Sequence, residues 1–143
     1  MVTSVVTRCE FDPKHSIIRW ILEGEITEDA FSEYIHLSAE TVPKFPAKGL
    51  ILDLTRAVIF KVPPSALWRL ANKEPALAGH FPRVIVAPTD LTDVPARMFS
   101  ILSETKRPNL HVVRTMAEAY ELLKVASPEF HEVSLSRAQQ TSN

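Results

Sequence analysis

Apolar and polar residues alternate from the start of the chain. Val5, Thr7, Cys9 and Phe11 fall on one side of an extended segment, with Ser4, Arg8 and Glu10 on the other. That period of two predicts a strand from Val2 to Phe11 with unequal faces. Asp12-Pro13-Lys14-His15 carries turn chemistry. Ser16 to Leu22 follows as a second strand, with Ile18, Trp20 and Leu22 facing one way. So short a connection favours an antiparallel hairpin. Gly24 breaks the alternation.

From Thr27 the period becomes helical. Phe31, Tyr34, Ile35 and Ser38 recur on one side, while Glu28, Asp29 and Glu33 lie outside. Thr27 is placed to cap the free amides, and the early acids suit the positive helix end. Val42-Pro43 and Phe45-Pro46 stiffen the next connector. Gly49 to Asp53 is too short for a helix and apolar until its last residue, which predicts a central strand covered on both faces. A second helix is expected to begin near Pro63, Pro64 or Ser65, where a proline costs little. Leu67, Leu70 and Ala71 form its apolar side, Trp68 lies beside it, and Pro75 limits it.

Val84 to Pro88 reads as another short strand, Leu91 through Thr105 as a third helix, and Leu110 to Val113 as the last strand. The third helix is expected to pack through Val94, Met98, Ile101 and Leu102. Thr115-Met116-Ala117-Glu118 fits a capping box, with Ala119, Tyr120 and Leu123 packing beyond it. The alternation of strands and helices predicts an α/β domain over 1–127, with a mixed, mostly parallel sheet. A polar C-terminal tail over 128–143 is expected, with Ser134 to Asn143 polar enough to fray.

Composition narrows the chemistry. At 143 residues the chain has room for one domain with a real core. It holds 11 prolines but only 3 glycines, which argues against a glycine-rich phosphate loop. A net charge of -1 is unlike that of a dedicated nucleic-acid binder. The single cysteine, Cys9, excludes an intrachain disulfide and reads as a buried structural thiol. The first residues lack the pattern of a signal peptide, and no apolar run reaches the roughly 20 residues of a membrane span. A cytoplasmic protein without a transmembrane segment is the expectation.

The second half carries a recognisable order of segments. Leu50-Ile51-Leu52-Asp53-Leu54-Thr55 is followed by Val84-Ile85-Val86-Ala87-Pro88 and Ala96-Arg97-Met98-Phe99. His111-Val112-Val113-Arg114 and Glu118-Ala119-Tyr120-Glu121-Leu122-Leu123 complete it. Over residues 10 to 124 the chain resembles the SpoIIAA-like, or STAS/SEC14-like, family of small bacterial proteins. The resemblance implies a four- or five-stranded mixed sheet, an N-terminal hairpin and about four flanking helices. In related anti-sigma-factor antagonists, a strand ending in Asp leads to a phosphoacceptor Ser before a Gly-Leu pair. Here Asp53-Leu54-Thr55 through Pro63-Pro64-Ser65-Ala66-Leu67 matches that stretch. With Ala66-Leu67 aligned to Gly-Leu, Pro64 takes the phosphoacceptor position and Ser65 the next one. Proline has no hydroxyl to phosphorylate. Ser65 reads as a cap or first-turn residue that a phosphate would also suit.

Candidate site residues follow. Asp53 ends a strand, where open sheets place ligands, and Thr55, Arg56 and Lys61 suit a polar or anion-binding rim around it. Val58-Ile59-Phe60 reads as an apolar plug in an exposed loop. Arg97 is a candidate for a carboxylate pair or an anionic ligand. Val58, Phe60, Val62 and Trp68 are candidates for contact with a partner. None of the five histidines makes a metal-binding helical pair, no nucleophile elbow is present, and no cofactor is implied.

Three functions fit. The first is a non-catalytic regulatory module that binds a protein partner, with a homodimer as the working state. The second is a carrier of a small apolar or anionic ligand, including a lipid. The third is an enzyme using Asp53 with Arg97.

Overall fold

A computed structural model describes residues 6–135. Ser4, Val5 and the second half of the expected tail, 136–143, lie outside the described residues. The hairpin forms as expected from β1 (Val6–Asp12) and β2 (Ile17–Ile26), paired antiparallel. Asp12 closes it: its carboxylate accepts from the amides of Lys14 and His15 and meets His15 Nδ1 at 2.7 Å. Thr7, Cys9 and Phe11 are buried while Arg8 and Glu10 are half-buried, which matches the predicted faces. The Cys9 thiol is fully buried, and burial pushes its pKa up to about 12.

β2 does not stop at Gly24. The strand runs on to Ile26 because Gly24 takes a φ of 109°, and the register shifts there by a bulge. Its first half pairs in parallel with β3 (Gly49–Asp53), and its far end pairs in parallel with β4 (Ala57–Phe60). β3 and β4 therefore lie one after the other along the same side of β2, interrupted at Leu54 to Arg56. The stretch expected to be a loop around an apolar plug is a strand.

The sheet continues through β5 (Arg83–Val86) and β6 (Leu110–Val113), both parallel to β3. On the other side β7 (His131–Val133) pairs antiparallel with β1, inside the stretch read as tail. The order is β6-β5-β3-β2-β1-β7, with β4 beside β2. The expected architecture holds, a mixed and mostly parallel sheet, but among the described residues it has seven strands rather than four or five.

Helices cover both faces. α1 (Glu28–Thr41), α2 (Pro64–Ala71) and α3 (Asp90–Leu102) pack on the face of Leu50, Leu52 and Ile85. α4 (Met116–Leu123) covers the face of Ile51, Val84 and Val86. Alternate residues of the short strands are thus buried on opposite sides, which is why they read as uniformly apolar. Thr27 caps α1 by accepting from Ala30, and Thr115 and Glu118 exchange amide bonds in the predicted capping box of α4. Phe31 is the hub of the larger core. Its ring centroid lies 4.9 Å from that of Phe60 and 5.2 Å from that of Phe99, both edge-on. The loop strand β4, α1 and α3 are joined at that point.

Candidate functional site

The sequence-predicted residues fall into separate places. Asp53 ends β3, and its Oδ1 accepts from the Thr55 amide at 2.8 Å, a local turn around the strand end. Asp53 follows Ile51 on the α4 face, and its charge acts on the Tyr120 phenol of α4. Thr55, Arg56 and Lys61 are exposed. Arg56 accepts from Gly24 through its carbonyl, and the Lys61 amide donates to Ile26, so backbone bonds fix both in the β2–β4 ladder. Lys61 lines the groove between the α2 start and α3, so it is not grouped with Asp53.

Arg97 lies across the sheet from Asp53, on α3. Its Nε donates to both oxygens of the buried Asp93 carboxylate at 3.0 Å, and Arg114 lies 3.4 Å from the same carboxylate. Arg97 is thus held one turn away on its own helix. The Asp53–Arg97 pair on which the enzyme reading rested is not formed. Among the described residues, no three His, Cys, Asp or Glu side chains gather as a metal site. No helix among them is long and apolar enough to cross a membrane.

Ser65 is exposed in the first turn of α2, whose N-cap is Pro63. It is a first-turn serine rather than a cap. Phe60 and Val62, expected at a partner surface, are buried; Phe60 fills the core against Phe31. Trp68 is 59% exposed and Val58 64%.

The third helix is turned round from its predicted orientation. Leu91, Val94, Met98 and Ile101 point outward, with Ile101 73% exposed. Thr92, Asp93, Ala96 and Phe99 face the sheet instead. The outward residues are spaced three, four and three apart, the seam spacing of a helix that packs against another element. At its N-terminal half the stripe borders an open groove, where Val94, Pro95 and Met98 face Pro63, Pro64 and Leu67 of the α2 start.

Two further residues escaped the sequence reading altogether. Arg83 opens β5 and Arg107 precedes β6; both are more than nine-tenths buried. Arg83 donates to the carbonyls of Leu77, Ala78 and Gly79, and Arg107 to those of Ala71 and Lys73. No carboxylate lies within ion-pair distance of either guanidinium among the described residues. Both line one cavity of about 40 Å³ at the N-terminal end of the parallel strands. No spacing signal marks them, because their partners are backbone carbonyls of the α2 end and the loop after it.

No protein-family model matches the chain. No curated protein matches it either. A solved structure does: the crystal structure of an anti-sigma factor antagonist from Mycobacterium paratuberculosis, with a TM-score of 0.52 and 17% identity. The match covers 85% of this chain and 95% of that one. The likeness is one of fold. This chain's mixed sheet and flanking helices share that protein's fold.

Proposed function

We propose that the chain is a non-catalytic regulatory module that works by docking a protein partner on the outward face of α3. One observation carries this reading: Leu91, Val94, Met98 and Ile101 form a continuous apolar stripe facing solvent. Large apolar side chains grouped on one helix face mark interaction surfaces, whereas scattered ones do not. Trp68 on the neighbouring α2 adds an aromatic side chain of the kind that anchors interfaces. The shared fold with an anti-sigma factor antagonist supports a role in protein recognition. The homodimer is one form of the same proposal, with a second copy as the partner.

The test compares wild type with Val94→Asp/Ile101→Asp, both exposed positions. Circular dichroism verifies the fold, sedimentation velocity reads self-association, and cross-linking in a native lysate reads other partners. The expected result is a complex formed by wild type and lost in the variant. A wild-type monomer with no variant-sensitive cross-link overturns the reading, as does a complex that survives both aspartates.

A further inference from the structure

The cavity between α1, the loop after α2 and the start of β5 holds an unbalanced charge. Arg83 and Arg107 both line it, and Tyr34 and Ser38 of α1 enter it from above. Buried charges in proteins are ordinarily paired, since desolvation is otherwise uncompensated. Here the acceptors are five neutral carbonyls. A guanidinium carries five N–H donors, so each arginine keeps N–H groups beyond those its carbonyls take. Burial pulls the Arg83 pKa down to about 10, and the nearby Arg107 charge pulls it the same way. Burial lowers the pKa of Arg107 as well. The Tyr34 phenol, which burial raises to about 12, stays neutral and offers a hydroxyl, not a counter-charge. Glu74 reaches the mouth of the cavity, but its carboxylate is exposed and held at 2.6 Å by Lys106.

We infer that this cavity binds the carboxylate head of a small organic acid between Arg83 and Arg107. The shape agrees with the charge. A space of about 40 Å³ holds roughly three waters' worth of atoms, enough for the three heavy atoms of a carboxylate. Guanidinium groups take carboxylates through paired, charge-assisted hydrogen bonds. Leu50, Leu52, Ile85 and Phe99 form the apolar side of the same space. Arg107 also lies over the Phe99 ring, 5.4 Å from its centroid, which fixes the plane of its guanidinium. The site is independent of the α3 face and lies away from the Asp53 rim, where the sequence had placed an anion.

Thermal unfolding and calorimetry of the full chain with acetate, propionate and butyrate test this, against chloride and phosphate at equal ionic strength. The carboxylates are expected to raise the Tm saturably and to give a binding heat, while chloride and phosphate do neither. Arg107→Met is expected to weaken the effect at least tenfold. Because that variant strands two carbonyls, Ala76→Leu serves as a second: it fills the mouth and keeps both guanidiniums. Ala76→Leu is expected to lose the carboxylate response at least tenfold while unfolding cooperatively. A Tm unmoved by carboxylates, an equal shift with chloride, or a response that survives Ala76→Leu overturns the inference.

Discussion

Asp53 and Arg97 lie on opposite sides of the sheet. Asp53 serves the turn beyond β3, and Arg97 serves Asp93 on its own helix. Two charges so separated, with no shared partner, should act independently. Asp53→Ala should cost about 1 kcal/mol by leaving the Thr55 amide without its acceptor. Arg97→Ala should cost about 1 kcal/mol, because Arg97 is itself exposed and Arg114 stays 3.4 Å from the buried Asp93 carboxylate. Their double-mutant coupling, from urea unfolding, should be below about 0.5 kcal/mol. A larger coupling would place them in one site after all.

The orientation of α3 has a sharp stability signature. Phe99 is 4% exposed and meets Phe31 edge-on, so Phe99→Ala should cost about 3–5 kcal/mol. Ile101, two residues on and larger than many core residues, should cost less than about 0.5 kcal/mol on truncation to Ala. Denaturant midpoints of the two variants decide it, and similar losses would mean that the helix is rotated.

Gly24 is the one glycine in the left-handed half of backbone space, at φ 109°. Any side chain there forces the backbone out of that conformation. Gly24→Ala should destabilise by roughly 1–2 kcal/mol. Hydrogen exchange should speed up at Gly24, whose position holds the Arg56 carbonyl, and at Lys61, whose amide bonds Ile26. The β2–β3 amides should be much less affected. Uniform loss of protection across the sheet would contradict the division of β2 into two pairing zones.

Asp12 gives a prediction in pH. Burial alone would raise its pKa, but bonds from His15 and from the Lys14, Glu129 and His15 amides outweigh it and lower the value below 3.8. A depressed carboxylate stabilises the fold above its unfolded pKa, and that contribution is lost as pH falls through the folded value. Stability should therefore drop below about pH 4 in wild type. Asp12→Asn should be less stable at neutral pH and show a flatter acid limb. An unchanged acid limb would remove Asp12 from the balance.

Much of the fold was legible because its signals are local. The capping box at Thr115 and Glu118, the Thr27 cap and the short strand from Gly49 to Asp53 depend on near neighbours, and all three form. The errors arise where tertiary packing overrides the local pattern. Helix α3 buries Asp93, Ala96 and Phe99 and exposes Leu91, Val94, Met98 and Ile101, so the stripe with more apolar residues faces solvent and one aromatic ring carries the packing. Val58-Ile59-Phe60 reads as a plug in the sequence because its partner, the far end of β2, lies beyond Gly24. The site residues were harder still. Asp53 and Arg97 suggest chemistry by type, but only the sheet shows that they never meet. Arg83 and Arg107 are 24 positions apart and answer to backbone carbonyls, which have no residue code to read.

The margins of the sheet bear on how such a chain joins others. β7 closes the outer side of β1 with only three residues, and β6 on the far side has four. Strands that short offer little ladder for a neighbour to extend. Growth by strand addition is thereby discouraged at these two rims, which leaves the helical surface as the broader face of the fold.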